Sequence, residues 1–326
     1  MRRLEPPRWL LITAALLALV GVWRVVERGR VEHLLARARS APRLLDYHGT
    51  QTTSLRLPGH GELSLSVALQ HQAPDRFWRR YQDGELRGTE VVSVGGTQWR
   101  YDPRLRQTFT APSTAELPLS TRAYLVSVRG GGQVAGRATD RVRLRARGVD
   151  RLLWLDRETG IVLRSRTAQS GQLMDTAFQT FALGRPVAPA TFAVPGGSGS
   201  PIAEAVSLSD CARRTGLTVQ PPREVPAGFR LIGSYCYNCP CGCGMLAAQL
   251  LYGDGVGWLS VFYQDRAHAG CVLSESCCKQ GEAAHACVGD DGYGINTVAR
   301  VDRQPVIVVV GDASSQALAK VADSVP

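Results

Sequence analysis

Between Val134 and Ser165 the chain reads VAGRATDRVRLRARGVDRLLWLDRETGIVLRS, and this stretch limits the fold more than any other. Arg141, Arg143, Arg145 and Arg147 alternate strictly with Val142, Leu144 and Ala146. Successive strand side chains take opposite faces, so this is a strand with one wet face and one dry face. A second strand runs through Leu152–Leu155. It turns at Asp156-Arg157-Glu158-Thr159-Gly160, with glycine free to take positive φ, and returns through Ile161–Leu163. An antiparallel sheet buried on one side needs this pattern.

The same alternation recurs at Leu63, Leu65, Val67 and Leu69, set between Ser64, Ser66, Ala68 and Gln70. Turn signals at Pro74-Asp75, Asp83-Gly84, Gly95-Gly96 and Asp102-Pro103 make residues 63–103 a meander of hairpins. Ser113 with Glu116 reads as a capping box for a short helix over 118–128, ended by Gly130-Gly131-Gly132. A last strand of this region is expected near Ala177–Leu183.

Ahead of these strands, Arg2, Arg3 and Arg8 precede an apolar run from Trp9 to Trp23, continued by Val25 and Val26. The run fits a signal peptide or a signal anchor that leaves residues 1–8 in the cytoplasm and sends the bulk of the chain outside. No clear small-x-small cleavage site follows, which favours an uncleaved single-pass anchor over 9–26 in the bacterial inner membrane. Val31, Leu34, Leu35 and Ala38 then sit at the spacing of an amphipathic helix. The first cysteine is Cys211, so there is no lipobox.

Pro195-Gly196-Gly197-Ser198-Gly199-Ser200-Pro201 is the clearest linker. It divides a large domain, 27–195, from a small one, 202–326, with 196–201 between them. In the small domain Ile202–Thr215 reads as helical. Strands are expected near 229–235, 245–252, 258–263, 295–301 and 306–310, and Asp312 can cap a final helix. The expected class is therefore α+β, mostly antiparallel β.

The net charge of +10 comes almost wholly from arginine, since Lys279 and Lys320 are the only lysines. The basic residues are spread along the chain and no nucleic-acid-binding motif occurs, which argues against nucleic acid. The Arg141/143/145/147 comb reads first as a solvated sheet face and second as a site for lipid headgroups or phosphate. Single histidines on strands, His48 and His71, read as structural, and Asp254 and Asp290-Asp291-Gly292 as turn chemistry. No Gly-x-Ser-x-Gly elbow, phosphate loop, His-Glu-x-x-His or calcium loop is present, so nothing points to an enzyme.

Eight of the nine cysteines fall in two groups: Cys236, Cys239, Cys241 and Cys243, then Cys271, Cys277, Cys278 and Cys287. A tight turn at Gly253-Asp254-Gly255 would bring the flanking loops to one end of the small sheet, where the groups would meet. Outside the cytoplasm an even count reads as a disulfide framework with partners taken from the opposite group. A thiolate site for zinc or copper, joined by His268 or His285, is the second reading, and thiol exchange chemistry the third. Cys211, on a helix outside both groups, reads as a buried free thiol.

The wording of several segments also resembles a known family. Gly136-Arg137, the run RLLWLDRETGIVLRS over 151–165, Tyr47-His48-Gly49-Thr50, His71-Gln72-Ala73-Pro74-Asp75-Arg76 and Asp83-Gly84-Glu85 resemble the sigma-E regulatory protein family RseB/MucB. Val225-Pro226-Ala227-Gly228-Phe229, Tyr252-Gly253-Asp254-Gly255 and Leu259-Ser260-Val261-Phe262 extend the likeness, which covers most of the chain after residue 45. The resemblance implies a LolA-like curved half-barrel sheet with helices in its concavity, and a small α+β C-terminal domain. It implies a hydrophobic acyl-chain pocket, for which Leu63, Leu65, Val67 and Leu69 are the candidate lining. It further implies an anti-sigma factor, or another membrane protein, as partner, and a lipid or lipoprotein as the signal. The cysteine loops are not part of the family pattern. A lipid or lipoprotein carrier, or an envelope structural protein, is the first alternative, and a cysteine-rich metal or redox protein the second.

Overall fold

A computed structural model describes residues 8–326 except 58–60, 85, 114–120, 122–123, 147–148, 170–171, 185–191, 195–198, 239–244, 255–256, 267–286, 291–295 and 312. Two antiparallel sheets organise it. The large sheet contains β1 (Tyr47–Leu57), β2 (Gly61–Gln72), β3 (Arg76–Tyr81), β4 (Glu90–Val94), β5 (Thr97–Asp102) and β6 (Gln107–Pro112). It continues with β7 (Leu125–Val134), β8 (Arg137–Ala146), β9 (Val149–Asp156), β10 (Val162–Gln169) and β11 (Gln172–Leu183). β12 (Ser200–Pro201) closes one edge, giving the order β12-β6-β5-β4-β3-β2-β1-β11-β10-β9-β8-β7. The fold class is the α+β, mostly antiparallel arrangement expected, with an open, curved large sheet.

The first helix, α1 (Arg8–Leu44), runs unbroken for 37 residues. Its C-terminal half lies in the curl of the sheet. Val31 and Leu35 are buried against Tyr124, Val128, Val142, Leu144, Leu153 and Leu155. Ala41 packs with Tyr47, Leu69, Ile161, Leu163 and Phe178. This is the apolar stripe read from Val31, Leu34, Leu35 and Ala38. Polar side chains hold the helix to the sheet edge: Val128 N–H donates to Glu27 Oε1 at 2.6 Å, and Thr121 Oγ1 to Glu32 Oε1 at 2.7 Å. An edge strand left open invites foreign pairing, and here α1 covers it. Among the described residues no helix is long and apolar enough to cross a membrane. Residues 9–26, the expected anchor, form the first half of α1, continuous with the half that packs on the sheet.

The helix expected over 118–128 fails in its second half. Leu125–Val128 begin β7, which runs on through all three glycines beside β8. A Cβ at Gly131 would stand 2.4 Å from Thr139 Oγ1 and 2.8 Å from Trp154 Cδ1, so the glycines permit close strand approach and do not end a helix.

The small sheet holds β13 (Ala203–Ala205), β14 (Arg230–Asn238), β15 (Leu246–Gly253), β16 (Trp258–Gln264), β17 (Cys287–Asp290), β18 (Asn296–Arg300) and β19 (Val306–Gly311). Their order is β13-β14-β15-β16-β19-β18-β17. Helices α2 (Leu208–Thr215) and α3 (Ser315–Ser324) cover one face, sharing a core with Tyr252, Leu259, Val261, Tyr263, Ile307 and Val309. Ser207 caps α2 through Asp210 N–H, and Ser314, rather than Asp312, caps α3 through Ala317 N–H. Residues 203–205, expected to be helical, are extended because they pair with β14.

The chain crosses between the sheets as a strand. Ser200 and Pro201 pair in parallel with Phe109 and Thr110 of the large sheet. Ile202 N–H then donates to Thr110 O at 2.8 Å while Asn238 N–H donates to Ile202 O at 2.9 Å. The second link is between side chains: Tyr124 Oη donates to Asp254 Oδ2 at 2.7 Å, both residues being buried. Asp254 Oδ1 also accepts Gly257 N–H at 2.8 Å, so the turn role read for it is there together with a contact to the other sheet.

Candidate functional site

Residues opposite each other in an antiparallel ladder share a face, so register identifies the concave lining. One row crosses Leu65, Thr53, Thr176, Ser165, Leu153, Val142 and Val128. Because Leu153, Val142 and Val128 pack on α1, this row and its neighbours line the side that holds the helix. The next rows are Leu63, Leu55, Met174 and Thr167 on one side, and Val67, Gln51 and Phe178 on the other. All four candidate residues on β2 therefore face the concavity.

Their exposure grades along the strand. Leu69 is 3% exposed and Val67 8%, whereas Leu63 is 47% and Met174 39%. The closed end is aromatic. Tyr47 stacks on His71 with centroids 4.6 Å apart, and Phe178 and Phe181 meet edge to face at 5.1 Å. The other end leaves an aliphatic lip of Leu63, Leu65 and Met174 that α1 does not reach among its described contacts. The row between the two ends carries Thr53, Thr176 and Ser165, with Thr53 Oγ1 2.9 Å from Thr176 Oγ1, so a hydroxyl-bearing middle joins the aromatic end to the aliphatic lip.

The motif residues mostly build this frame. His71 Nδ1 lies 3.1 Å from Leu45 O. A Cβ on Gly49 would lie 2.0 Å from Thr180 O, next to the bulge at Thr50/Gln51. Asp83 Oδ1 accepts Ser66 N–H at 2.6 Å. Asp156, 2% exposed, accepts Arg137 Nη2 at 2.8 Å and both Thr159 N–H and Oγ1, which closes the Asp156–Gly160 turn. Burial pushes its carboxyl up, but the bonds from Arg137 and Thr159 outweigh that and hold it below the ordinary value.

The arginine comb lies on the opposite, convex face. Arg143 forks onto Asp150, with Nε donating to Oδ1 at 2.8 Å. Arg164 forks onto Asp175 and lies 4.8 Å over the Trp154 ring. Arg157 reaches Asp140 at 3.0 Å. Arg147 lies outside the described residues. Arg143, Arg157 and Arg164 are thus paired with carboxylates.

Cys239, Cys241, Cys243, Cys271, Cys277 and Cys278, with His268 and His285, lie outside the described residues. The topological expectation about their loops can be read from register. Asn238 pairs with Leu246, Gln264 with Val306, Ile307 with Arg300, and Cys287 with Ala299, so these strand ends share one end of the sheet. Cys236 has a different neighbour from the one expected: it faces the helix-covered core, against Cys211. Among the described residues no three His, Cys, Asp or Glu side chains are grouped to hold a metal.

The family model for the MucB/RseB N-terminal domain matches residues 89–193. No curated protein matches the chain. The crystal structure of MucB in complex with MucA(peri) is similar over 90% of this chain and 97% of that one, at 21% identity and a TM-score of 0.61. The Pseudomonas aeruginosa MucA/MucB complex covers 91% and 98%, at 20% identity and a TM-score of 0.62. MucB alone gives 20% identity and a TM-score of 0.57. The chain thus carries the MucB/RseB N-terminal-domain signature over 89–193 and shares the fold of MucB.

Proposed function

We propose that this protein is an extracytoplasmic regulatory subunit that binds an anti-sigma factor and adjusts its exposure to proteolysis in envelope-stress signalling. The observation that carries the reading is that 90% of this chain aligns with 97% of MucB in the structure where MucB is in complex with MucA(peri). The role is one of binding and regulation, not catalysis. Titration calorimetry of the purified chain with the extracytoplasmic segment of an anti-sigma factor from the same organism tests it. Saturable binding of one segment per chain is expected. No heat at roughly 100 µM would remove the reading, since regulatory contacts weaker than that are rarely specific.

The signal we assign to the concave face is an acyl chain of a lipid or lipoprotein, entering past Leu63, Leu65 and Met174. The graded exposure along β2 supports this. Each buried methylene is worth about 0.8 kcal/mol, so affinity should rise steadily with chain length until the aromatic end is reached. Fluorescent fatty acids of increasing length read this out. Binding that is saturable in length and displaced by the anti-sigma segment would tie the two sites together, whereas acyl binding alone would favour a carrier.

A further inference from the structure

Cys211 and Cys236 take no part in the concave site. Cys211, on α2, is fully buried, and Cys236, on β14, is 6% exposed. Their sulfurs are 3.1 Å apart, and the Cys211 thiol also lies 3.1 Å from Tyr235 O. That separation is about 1 Å beyond the ~2.05 Å of a disulfide bond. Two thiols are brought to contact across a helix–sheet interface with nothing between them.

We propose that Cys211 and Cys236 are joined by a disulfide in the exported protein, riveting α2 to β14 where the chain crosses between the sheets. The reaction is thiol–disulfide exchange. An oxidant carrying a disulfide, either glutathione disulfide or a thioredoxin-like protein, takes one cysteine as a mixed disulfide and releases one thiol. The other cysteine then attacks the protein sulfur and releases the second thiol. Two cysteine thiols become one S–S bond, and the oxidant leaves as two thiols carrying the two electrons and protons.

The surroundings favour this pairing over its rivals. A structural zinc takes four ligands, and no third ligand is grouped with these two among the described residues. Cys287 opens β17, five strands from β14 in the sheet order, or about 24 Å at the usual strand spacing. A disulfide spans no more than about 7 Å between Cα atoms. Burial first, and the Cys236 thiol beside it second, push the Cys211 thiol up to about 12. The folded Cys211 thiol is therefore a poor nucleophile and both sulfurs are buried, so the bond forms before α2 docks and is shielded afterwards.

The position gives the bond a mechanical role. Glu204 of β13 pairs with Cys236 in the ladder and Arg214 of α2 reaches back to Glu204 at 2.6 Å. Residues 203–215 thus hook over β14, directly after the Ser200–Pro201 segment that joins the large sheet. Closing the hook covalently fixes the small-domain end of the crossing.

The test uses the full chain, purified from an oxidising compartment without reductant, denatured with iodoacetamide present, and digested with trypsin and chymotrypsin. Cleavage after Tyr235 and Tyr237 separates Cys236 from the cysteines that follow it. A linked peptide pair holding Cys211 and Cys236 is expected. Recovery of both as alkylated thiols, or of either bridged to another cysteine, overturns the proposal. Hydrogen exchange then tests the rivet: in a Cys211→Ala/Cys236→Ala variant the α2 amides should exchange faster by roughly tenfold or more, with β1–β11 unchanged. Equal α2 rates in variant and oxidised wild type would show that the bond restrains nothing.

Discussion

Strand β8 in the large sheet alternates Arg141, Arg143 and Arg145 with Val142 and Leu144, the two apolar residues being fully buried. Strand β19 in the small sheet reads Val306-Ile307-Val308-Val309, with no member above 1% exposed. One sheet thus keeps an arginine-bearing convex face and a concave face that α1 covers in part and leaves open in part. The other is buried on both sides, against α2 and α3 on one face and among Phe262, Ala299, Val306 and Val308 on the other. The half-filled concavity of the large sheet leaves apolar side chains open at Leu63 and Met174, which the proposed acyl-chain site requires. The acyl-chain site proposed above therefore belongs to the large sheet alone.

The sharpest way to break that contrast is to place the same charge in both sheets. Val309→Asp buries an unpaired carboxylate beside Leu318 and Val321, and should cost more than about 4 kcal/mol and unfold the small domain. Leu63→Asp, on the open lip, should change stability by no more than about 0.5 kcal/mol yet abolish acyl binding. Thermal unfolding and the fatty-acid titration measured on both variants decide it. If Leu63→Asp also unfolds the protein, the lip is core and not pocket.

Filling of the concavity is tested one step lower in size. Leu35→Ala removes a side chain only 2% exposed from the α1 cluster and should cost about 2–4 kcal/mol. If α1 and a ligand share the recess, the variant should also bind longer acyl chains than wild type does. Unchanged chain-length dependence would show that the helix and the open lip are independent.

Much of this contrast was legible in the residues. Strict alternation gave β2 and β8, the i, i+3, i+4, i+7 stripe gave the packed half of α1, and continuous valines gave β19, since each period has one simple structural cause. The crossing was not legible. Ser200 and Pro201 join the large sheet through backbone bonds, which leave no side-chain pattern, so the segment reads as a flexible linker. Gly130–Gly132 read as a helix stop, although they sit in β7 to let Trp154 and Thr139 approach. Likewise, nothing in the spacing sets Cys211 against Cys236, because the contact depends on how α2 docks.

The turn at Asp156 belongs to the large sheet alone, so it titrates that sheet's stability selectively. Its carboxyl is held below the ordinary 3.8 in the folded state. The stability it contributes is therefore complete above about pH 3.8 and is lost as pH falls from there through the folded value. Asp156→Asn should cost about 2 kcal/mol at neutral pH and flatten that part of the acid-unfolding curve. The small sheet's unfolding should not shift. A curve parallel to wild type below pH 4 would mean that the Arg137 and Thr159 bonds do not favour the charged form.

Tyr124→Phe asks whether the two sheets act on each other at all. Tyr124 packs with Val31 and Leu35 on α1, and its hydroxyl donates to Asp254 in the β15–β16 turn. The ring thus touches the helix in the recess while the oxygen touches the supporting domain. Phenylalanine keeps the packing and deletes one hydrogen bond to a buried carboxylate, a loss of about 1–2 kcal/mol. The expected outcome is a small drop in overall stability with faster exchange of the Gly257 amide, which Asp254 also holds. If a ligand in the concavity shifts α1, wild type should transmit the shift to that amide and the variant should not. Hydrogen exchange at Gly257 with and without a long-chain fatty acid separates the cases. An identical ligand response in both proteins would leave the Ser200–Pro201 strand as the route between the sheets.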